Sequence, residues 1–274
     1  MAPFFSIIIP TLNEEKFLPK LLFCLAAQKE KDFEILVVDG KSDDQTLAKA
    51  REFEKNFNKK FKILISSKRN AAYQRNLGAK KAKGDYLVFF DADVAIGAGF
   101  LERVKKQLMK KKSLLATTWV EVDEKGLFAS FLKLFVILMV EVGRKIGKPF
   151  APGFNMIIKQ EAFSKIGGFD QEIKLADDYD FILRAREKGI KLEVFRQPRL
   201  TFSLRRFRRE GKMRTLWLYA KIFTYYFFKR PGTQEKFSYP MGGENKLKDK
   251  NDAIKNRYSR KEREKNEKTL NNCS

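Results

Sequence analysis

The chain contains no histidine among its 274 residues. This absence excludes Ser-His-Asp and Cys-His catalysis, and any zinc site that needs an imidazole ligand. Acid–base chemistry would then fall to carboxylates, lysines, tyrosines or a metal-bound water. Cysteine is nearly absent too: Cys24 lies in an apolar stretch and is predicted to be a core residue, while Cys273 lies in a polar segment. These two cysteines indicate neither a disulfide framework nor a metal pair, which fits a reducing, cytosolic environment.

Several common sequence signatures are also missing. No GxGxxG opens the first predicted helix and no GxxxxGKS/T occurs, which removes the main support for dinucleotide-binding and P-loop proteins. Leu127–Val142 is strongly apolar, but it is shorter than the roughly 20 residues of a membrane span and is interrupted by Lys133 and Glu141. We expect it to be either a core helix or an interfacial helix. Residues 1–10 have no basic region before their apolar run, which predicts a first strand and not a signal peptide.

Positive charge is in large excess, with 57 Lys plus Arg against 34 Asp plus Glu and a net charge of +23. The excess favours a polyanionic neighbour: nucleic acid, an anionic membrane surface or a phosphate-bearing substrate. Basic residues between 205 and 214 precede an aromatic, amphipathic segment at about 212–230, an arrangement that suits an anionic lipid leaflet. Residues 231–274 are predicted to form a charged disordered tail or a solvated, frayed helix.

Short apolar runs alternate with helical patterns in the first part of the chain. The predicted strands are Phe4–Pro10, Glu34–Asp39, Phe61–Ser66 and Tyr86–Asp91, and the predicted helices are Glu14–Gln28, Ser42–Lys55 and Ala71–Lys83. This alternation predicts an α/β fold with a Rossmann-like, mostly parallel central sheet flanked by helices. Its crossover connections should be right-handed.

Two carboxylates, Asp91 and Asp93, follow the apolar run Tyr86–Phe90. Residues i and i+2 of a strand point the same way, so both carboxylates can face one point if the strand geometry persists there. Ligands of open α/β sheets bind at the carboxyl ends of the strands, and paired carboxylates suit a hard divalent cation and the phosphates that it bridges. The alternative is an acidic turn that merely caps the next element of the chain.

Further motifs stand in order around this pair. They are Pro10-Thr11-Leu12-Asn13-Glu14-Glu15, Val37-Val38-Asp39-Gly40, Arg75-Asn76-Leu77-Gly78-Ala79, Pro152-Gly153-Phe154-Asn155, Gly167-Gly168-Phe169-Asp170 and Asp177-Asp178-Tyr179-Asp180. Their order and spacing resemble the family 2 glycosyltransferases, inverting enzymes of the GT-A fold that use nucleotide-diphosphate sugars. The resemblance covers Phe4 to Arg214, and Thr201–Gly211 is similar to the end of the small, stand-alone bacterial and archaeal members.

The resemblance implies a domain plan: a single GT-A domain over residues 1–230, with C-terminal amphipathic helices. Its nucleotide-binding part would cover about 1–95, its acceptor-side part about 96–215, and an amphipathic helix about 212–230. The charged tail would follow at 231–274.

The resemblance also implies residue roles. Asp91 and Asp93 would hold Mg²⁺ or Mn²⁺ against the diphosphate, with Asp93 the more direct ligand. Asp178 would be the base that takes the acceptor proton as the hydroxyl attacks in line, with Asp177 and Asp180 beside it; the alternative for this run is a plain helix N-cap. The residues implied to bind the nucleotide sugar are Pro10, Thr11, Asn13, Glu14, Asp39, Arg75, Asp91, Ala92, Asn155, Arg205 and Arg206.

Several of these residues have a second possible role besides contact with the nucleotide sugar. Asp39 would accept hydrogen bonds from the base or ribose, or would cap the helix Ser42–Lys55, or both. Arg75 would approach the base or diphosphate, or is a surface cation of a helix. Arg205 and Arg206 would reach the pyrophosphate or an acceptor phosphate, or would touch lipid head groups. Since the chain has no histidine to offer as a metal ligand, the cation would be held loosely, largely by the nucleotide.

The function implied is transfer of one sugar from a UDP- or GDP-sugar to an acceptor hydroxyl. The two amphipathic apolar stretches and the adjoining arginines favour an acceptor that is polyprenyl- or lipid-linked, at an anionic membrane surface on the cytoplasmic, inner face. The absence of a Gln-x-x-Arg-Trp motif favours one addition per encounter. One alternative is a sugar nucleotidyltransferase, although Pro10–Glu15 replaces the glycine- and arginine-rich loop that such enzymes share. A basic nucleic-acid-binding module would leave the acidic motifs unexplained, so no nucleic acid is expected. The third alternative is a non-catalytic relative that binds nucleotide sugars without transferring the sugar.

Overall fold

The structure is a computed structural model that describes residues 2–173 and 176–228. Its strands are β1 (Phe5–Thr11), β2 (Phe33–Asp39), β3 (Phe61–Ile65), β4 (Tyr86–Phe89), β5 (Val94–Ile96), β6 (Leu115–Val122), β7 (Met156–Lys159) and β8 (Leu192–Phe202). Its helices are α1 (Leu18–Ala26), α2 (Thr46–Arg51), α3 (Glu54–Phe57), α4 (Ala71–Lys81), α5 (Phe100–Lys111), α6 (Leu127–Lys145), α7 (Gln160–Ile166), α8 (Asp177–Glu187), α9 (Arg205–Glu210) and α10 (Lys212–Phe228). The predicted tail, 231–274, lies outside the described residues.

The strands form one mixed sheet in the order β3-β2-β1-β4-β7-β6-β8-β5. The first four are parallel, β7 runs antiparallel to β4 and β6, and β8 runs parallel to β6. Edge strand β5 is antiparallel to β8. The predicted α/β class is confirmed, and its parallel character is strongest in the N-terminal half. Every residue of β1 and β2 is buried, as expected where helices cover both faces of a sheet.

The four predicted strands agree with the structure to within two residues, but two predicted helices are shorter than expected. Helix α1 begins at Leu18 instead of Glu14, and the predicted helix Ser42–Lys55 is divided between α2 and α3. The residues lost from these helices lie in loops that bind each other, as described below. Hydrogen bonds to a neighbouring loop therefore replace the first turn of each helix.

Helix α4 lies very close to the sheet at Gly78. A Cβ atom at this position would stand 2.5 Å from Cγ2 of Ile8 and 3.1 Å from Cγ2 of Val38, so only glycine permits the approach. The close contact brings Gln74 and Arg75, one turn earlier on the same helix, to the carboxyl ends of the strands. Cys24 is half-buried against the apolar cluster on one face of the sheet.

The acidic pair does not continue strand β4, which ends at Phe89. Asp91, Ala92 and Asp93 form the turn that leads into β5, and the Val94 N–H donates to the Asp91 carbonyl at 3.4 Å. The condition under which strand alternation would align the two carboxylates, that the strand continue through Asp93, is therefore not met. It is the turn, and not a pleat, that holds them near each other.

Helices α6, α9 and α10 pack together beyond the sheet. Ala129 and Leu132 of α6 join Leu204 and Phe207 in a small apolar cluster, against which Tyr219 of α10 also packs. The ring of Phe207 meets that of Tyr219 with centroids 5.6 Å apart. Among the described residues, no helix is long and apolar enough to cross a membrane.

Candidate active site

The loops that follow β1 and β2 are hydrogen-bonded to each other. Asn13, in a left-handed conformation with φ of 56°, donates its N–H to Ser42 Oγ at 2.9 Å, and its Oδ1 accepts from the Asp43 N–H at 2.8 Å. The Glu14 N–H donates to Thr46 Oγ1 at 2.7 Å. Because the carboxyl ends of parallel strands face one edge of the sheet, these bonds join the two loops into one wall at that edge.

The buried carboxylate of Asp39 holds the two loops of this wall together. Its carboxylate is fully buried and accepts from Thr11 Oγ1 at 3.0 Å, from the Ser42 N–H at 2.8 Å and from Ser42 Oγ at 2.6 Å. The alternative of a cap on helix Ser42–Lys55 is wrong, since α2 begins at Thr46 and the Thr46 N–H donates to Asp44 Oδ1. Pro10 is buried at the end of β1.

Arg75 joins two acidic motifs that are far apart in the sequence. Its guanidinium donates through Nη1 to Asp177 Oδ2 at 2.9 Å and through Nη2 to Asp91 Oδ1 at 3.0 Å, and it lies 5.4 Å from the centroid of the Phe169 ring. The side chain is 7% exposed. The alternative of a surface helix cation is therefore wrong. The start of α8 and the turn after β4 meet at this one buried group.

Arg205 makes a second bridge on the other carboxylate of the turn. It donates through Nε to Asp93 Oδ2 at 2.8 Å and through Nη2 to Glu14 Oε1 at 2.7 Å, while Nη1 donates to Glu14 Oε2. Its guanidinium lies 4.4 Å from the centroid of the Phe17 ring. The loop after β1, the acidic turn and helix α9 therefore meet at Arg205, with Ala92 buried within the turn.

Burial governs the electrostatics around Arg205. It raises the pKa of Glu14 to about 7, although Arg205 acts in the opposite direction. Burial also raises the pKa of Asp93, again against the effect of Arg205. Carboxyl groups held out of water in this way favour a nearby cation, because a positive charge offsets the cost of removing the ionised form from solvent.

The donor set of the acidic turn fits a hard divalent cation. Asp91 and Asp93 offer carboxylate oxygens, the ligands that Mg²⁺ and Mn²⁺ prefer, and each now has an arginine as its positive partner. Within residues 2–173 and 176–228, no cluster of three or more His, Cys, Asp or Glu side chains could hold a metal ion.

Asp178 lies in the first turn of α8, where its carboxylate is held by two backbone groups. Oδ2 accepts from the Gly153 N–H and Oδ1 from the Tyr179 N–H, both at 2.8 Å. Burial and then the neighbouring Asp177 raise the pKa of Asp178 to about 6. The N-cap position belongs to Ala176, which has a left-handed conformation and makes no side-chain cap. The bond from the Tyr179 N–H is a helix-start contact of the kind that the N-cap alternative describes, and the bond from the Gly153 N–H ties the same carboxylate to a second segment of the chain.

Gly153 belongs to one of the motifs noted in the sequence, but no role at the site was predicted for it. A Cβ atom there would lie 3.1 Å from Arg75 Nη2 and 3.2 Å from Asp178 Cβ, so the absence of a side chain lets the loop approach both groups. The Pro152-Gly153 dipeptide, a turn signal directly before Asn155, is the pattern that could have pointed to it. Phe169, beside Arg75, belongs to the motif Gly167-Gly168-Phe169-Asp170, whereas Phe17, beside Arg205, had no comparable signal.

Asp180, Asn155 and Arg206 are not brought into this cluster by the contacts described. Asp180 is buried and accepts from Arg184 Nε at 2.6 Å, which ties it into the body of α8. Asn155 is fully buried and donates through Nδ2 to the Thr118 carbonyl at 2.8 Å. These contacts give both side chains a structural role, and the catalytic role expected for Asp180 and the ligand contact expected for Asn155 stay predictions. Arg206 is partly exposed on α9.

A mixed α/β sheet with an acidic turn at the strand ends and an acidic helix start beside it defines the GT-A class of fold. The family model of Glycosyl transferase family 2 matches residues 6–167, which is more than half of the chain. The protein belongs to glycosyl transferase family 2.

Individual relatives agree with this assignment. The chain is 40% identical over 212 residues to dolichyl N-acetyl-alpha-D-glucosaminyl phosphate 3-beta-D-2,3-diacetamido-2,3-dideoxy-beta-D-glucuronosyltransferase of Methanococcus voltae, covering 69% of this chain and 63% of that protein. It spans between 36% and 69% of the length of the curated relatives that it matches.

Two solved structures share the fold. Staphylococcus aureus TarS 1–349 in complex with UDP-GlcNAc superposes with a TM-score of 0.61 at 24% identity, over 74% of this chain and 58% of that chain. The mannosyltransferase PcManGT of Pyrobaculum calidifontis, in complex with GDP-Man and Mn²⁺, gives 0.61 at 21% identity, over 73% and 57%. At these identities the likeness concerns the fold.

Proposed function

We propose that the protein is an inverting glycosyltransferase that transfers one sugar from a UDP- or GDP-sugar to an acceptor hydroxyl. The observation that carries the proposal is the Arg75 bridge, because it puts the acidic turn and the acidic start of α8 side by side. The carboxylates of the acidic turn can serve the donor diphosphate, and the carboxylate of Asp178 can serve the acceptor hydroxyl. Solved relatives of the same fold hold UDP-GlcNAc, or GDP-Man with Mn²⁺, which supports a donor of this class.

The donor would lie along the wall made by the loops after β1 and β2. Thr11, Asn13 and Glu14 lie on its first loop, and Asp39 maintains its shape from inside. Asp91 and Asp93 would hold Mg²⁺ or Mn²⁺, which supplies positive charge for the diphosphate as it leaves.

Asp178 would act as the base. A carboxyl with a pKa of about 6 is mostly ionised at neutral pH and is a stronger base than an ordinary aspartate. As the acceptor oxygen bonds to the anomeric carbon, the bond from that carbon to the diphosphate oxygen breaks and its electron pair leaves with the diphosphate. The hydroxyl proton passes to Asp178, whose orientation the Gly153 and Tyr179 N–H groups maintain. A single displacement of this kind inverts the anomeric configuration.

The acceptor would be lipid-linked, and the protein would work peripherally at the inner, cytoplasmic face of a membrane. Two observations support this part. The Methanococcus voltae relative is named for a dolichyl phosphate-linked sugar, and α6 and α10 of this chain expose large apolar side chains beside basic ones.

The test is nucleotide-diphosphate release from a panel of UDP-, GDP- and TDP-sugars, with Mg²⁺ or Mn²⁺, with and without a membrane lipid extract. The double variant Asp91→Asn/Asp93→Asn is the negative control, and Ser164→Ala, on the exposed side of α7, is the matched neutral control. Metal-dependent release with one donor, lost in the double variant, supports the proposal, and NMR of the product reads the anomeric configuration. Absence of release with every donor, together with tight and salt-sensitive binding of nucleic acid, would contradict it.

A further inference from the structure

Helix α6 has an apolar face on the side opposite to its packing face. Its exposed large side chains are Leu127, Phe131, Leu134, Leu138 and Val142, which are 93%, 54%, 55%, 50% and 48% exposed. At 3.6 residues per turn these five positions fall within an arc of about 80°. The buried residues of α6, Ala129, Leu132, Val140 and Gly143, lie on the other side. The helix is therefore apolar both towards the protein and towards solvent.

An outer face of this kind is unusual for a surface helix, which normally carries polar and charged residues there. A contiguous exposed apolar patch of this sort marks an interaction surface. Helix α10 adds Met213 and Trp217, 73% and 63% exposed and one turn apart. The two helices belong to one packed group, since Lys212 of α10 lies 5.2 Å from the centroid of the Phe128 ring of α6.

The charge of the two helices indicates what covers the patch. Together they contain six basic residues and one acidic residue, Glu141. Three of the basic residues are paired with carboxylates: Lys133 with Glu121, Arg144 with Glu141 and Lys212 with Glu124. Lys145 follows in the last turn of α6 and is exposed, and Lys221 lies 3.2 Å from the centroid of the Trp217 ring. Apolar side chains, a tryptophan and an excess of cations together suit the interface of an anionic bilayer.

We propose that this docking face, Leu127, Phe131, Leu134, Leu138 and Val142 of α6 with Met213 and Trp217 of α10, rests on an anionic lipid bilayer. The apolar side chains enter the boundary between head groups and acyl chains, and the cations bind the lipid phosphates. The binding itself does not depend on the enzymatic reaction. The role given to this binding, access to a lipid-linked acceptor, rests on the proposed function.

The docking face is connected to the candidate base by a short loop. Helix α6 ends at Lys145, and the chain reaches Gly153, whose N–H holds Asp178, eight residues later. The loop turns back on the helix, because the Lys148 N–H donates to the Gly143 carbonyl at 2.8 Å. The docking face and the residue that holds Asp178 are therefore joined by one short segment of the chain.

The test is co-sedimentation of the full chain with vesicles of phosphatidylcholine, with or without phosphatidylglycerol, at low and high salt. The variant is Leu134→Ser/Leu138→Ser, and the matched control is Phe23→Ser/Met109→Ser, whose leucine-sized or larger side chains are 70% and 64% exposed on α1 and α5. We expect the α6 variant to bind anionic vesicles roughly a hundredfold more weakly, since each inserted leucine contributes about tenfold or more. The control should bind like the wild type. Circular dichroism confirms that both variants fold.

Tryptophan fluorescence gives an independent readout. Anionic vesicles should shift the emission to shorter wavelength. The shift should disappear in Trp217→Phe, which keeps Trp119, the other of the two tryptophans in the sequence. Equal binding by the α6 variant and the wild type would overturn the inference, as would a concentration-dependent dimer that the α6 variant abolishes, since the face would then bind a second copy.

Failure of this inference is distinguishable from failure of the proposed function. Donor hydrolysis measured without vesicles reports on the active site alone. An enzyme that releases nucleotide diphosphate but ignores vesicles would refute the docking face and leave the glycosyltransferase proposal intact. A protein that binds anionic vesicles but releases no nucleotide diphosphate from any donor would refute the glycosyltransferase proposal and leave the docking face intact.

Discussion

Replacing Arg75 by glutamine should damage both stability and catalysis, because this one side chain neutralises two acidic motifs. Its guanidinium is almost wholly buried and holds Asp177 at 2.9 Å and Asp91 at 3.0 Å. Removing one partner of a buried ion pair leaves uncompensated charge and typically costs about 3–5 kcal/mol. We expect a loss of that order in the free energy of unfolding at neutral pH.

The catalytic effect has a definite sign. The positive charge of Arg75 lowers the pKa of Asp177 and of Asp178, against the burial that raises both. Without Arg75 the pKa of Asp178 should rise above its present value of about 6. Since a base must be ionised to accept a proton, the acid limb of kcat/KM should move to higher pH. The activity at pH 7 should fall with it.

Arg75→Lys separates charge from geometry. Lysine keeps the positive charge but cannot reach two carboxylates with a planar fork. We therefore expect its acid limb to stay near that of the wild type, while kcat falls by roughly a hundredfold, as misplacement of a reacting group commonly causes. The assay is the pH profile of kcat/KM beside urea unfolding for the wild type and both variants. An unmoved acid limb in Arg75→Gln, with wild-type stability, would refute the bridge as the link between the two motifs.

Three further predictions concern Asp178 and its neighbour. Asp178→Asn should keep donor affinity, measured by calorimetry, but lose roughly 10²–10⁴ in kcat; wild-type turnover would exclude Asp178 as the base. The folded-state pKa of Asp178 lies above its usual 3.8, so its contribution to stability is complete below about pH 4 and is lost as the pH rises through about 6. Urea unfolding should therefore show a smaller loss of stability between pH 4 and 8 in Asp178→Asn, by an amount on the order of 3 kcal/mol, and an unchanged slope would contradict this. Gly153→Ala should lower kcat about tenfold or more with little effect on the KM of the donor, because the added methyl group displaces Arg75 and Asp178 from their present contacts; an increase confined to the KM would place Gly153 in donor binding instead.

Membrane binding and catalysis are assigned to different parts of the molecule: the first to helices α6 and α10, the second to the candidate active site. The docking face accounts for exposed apolar residues that neither the core nor the candidate active site uses. The candidate site accounts for the buried arginines and carboxylates. The two regions meet in the loop between α6 and Asp178, and also at helix α9, which carries Arg205 and whose Phe207 packs against Tyr219 of α10. The variants Leu134→Ser/Leu138→Ser and Asp178→Asn alter neither contact, so each should leave the primary readout of the other region unchanged.

Much of the fold and part of the site follow from the sequence itself. Alternating apolar runs and helical periods predict the strands at the start of the chain, because burial on both faces of a parallel sheet leaves a local signature. The acidic pair after β4 and the acidic run at the start of α8 are equally visible, since each is a short group of carboxylates beside strongly apolar neighbours. The order of these motifs was enough to indicate the family.

The pairing of these motifs was decided by tertiary structure. Arg75 and Asp177 are 102 residues apart, and Glu14 and Arg205 are 191 apart; no local pattern reports such contacts. The same holds for the difference between Asp178, held beside Gly153, and Asp180, which is paired with Arg184. Hydrophobic periodicity is a property of single elements, whereas the partner of a charged side chain depends on how those elements pack and which loops close over them.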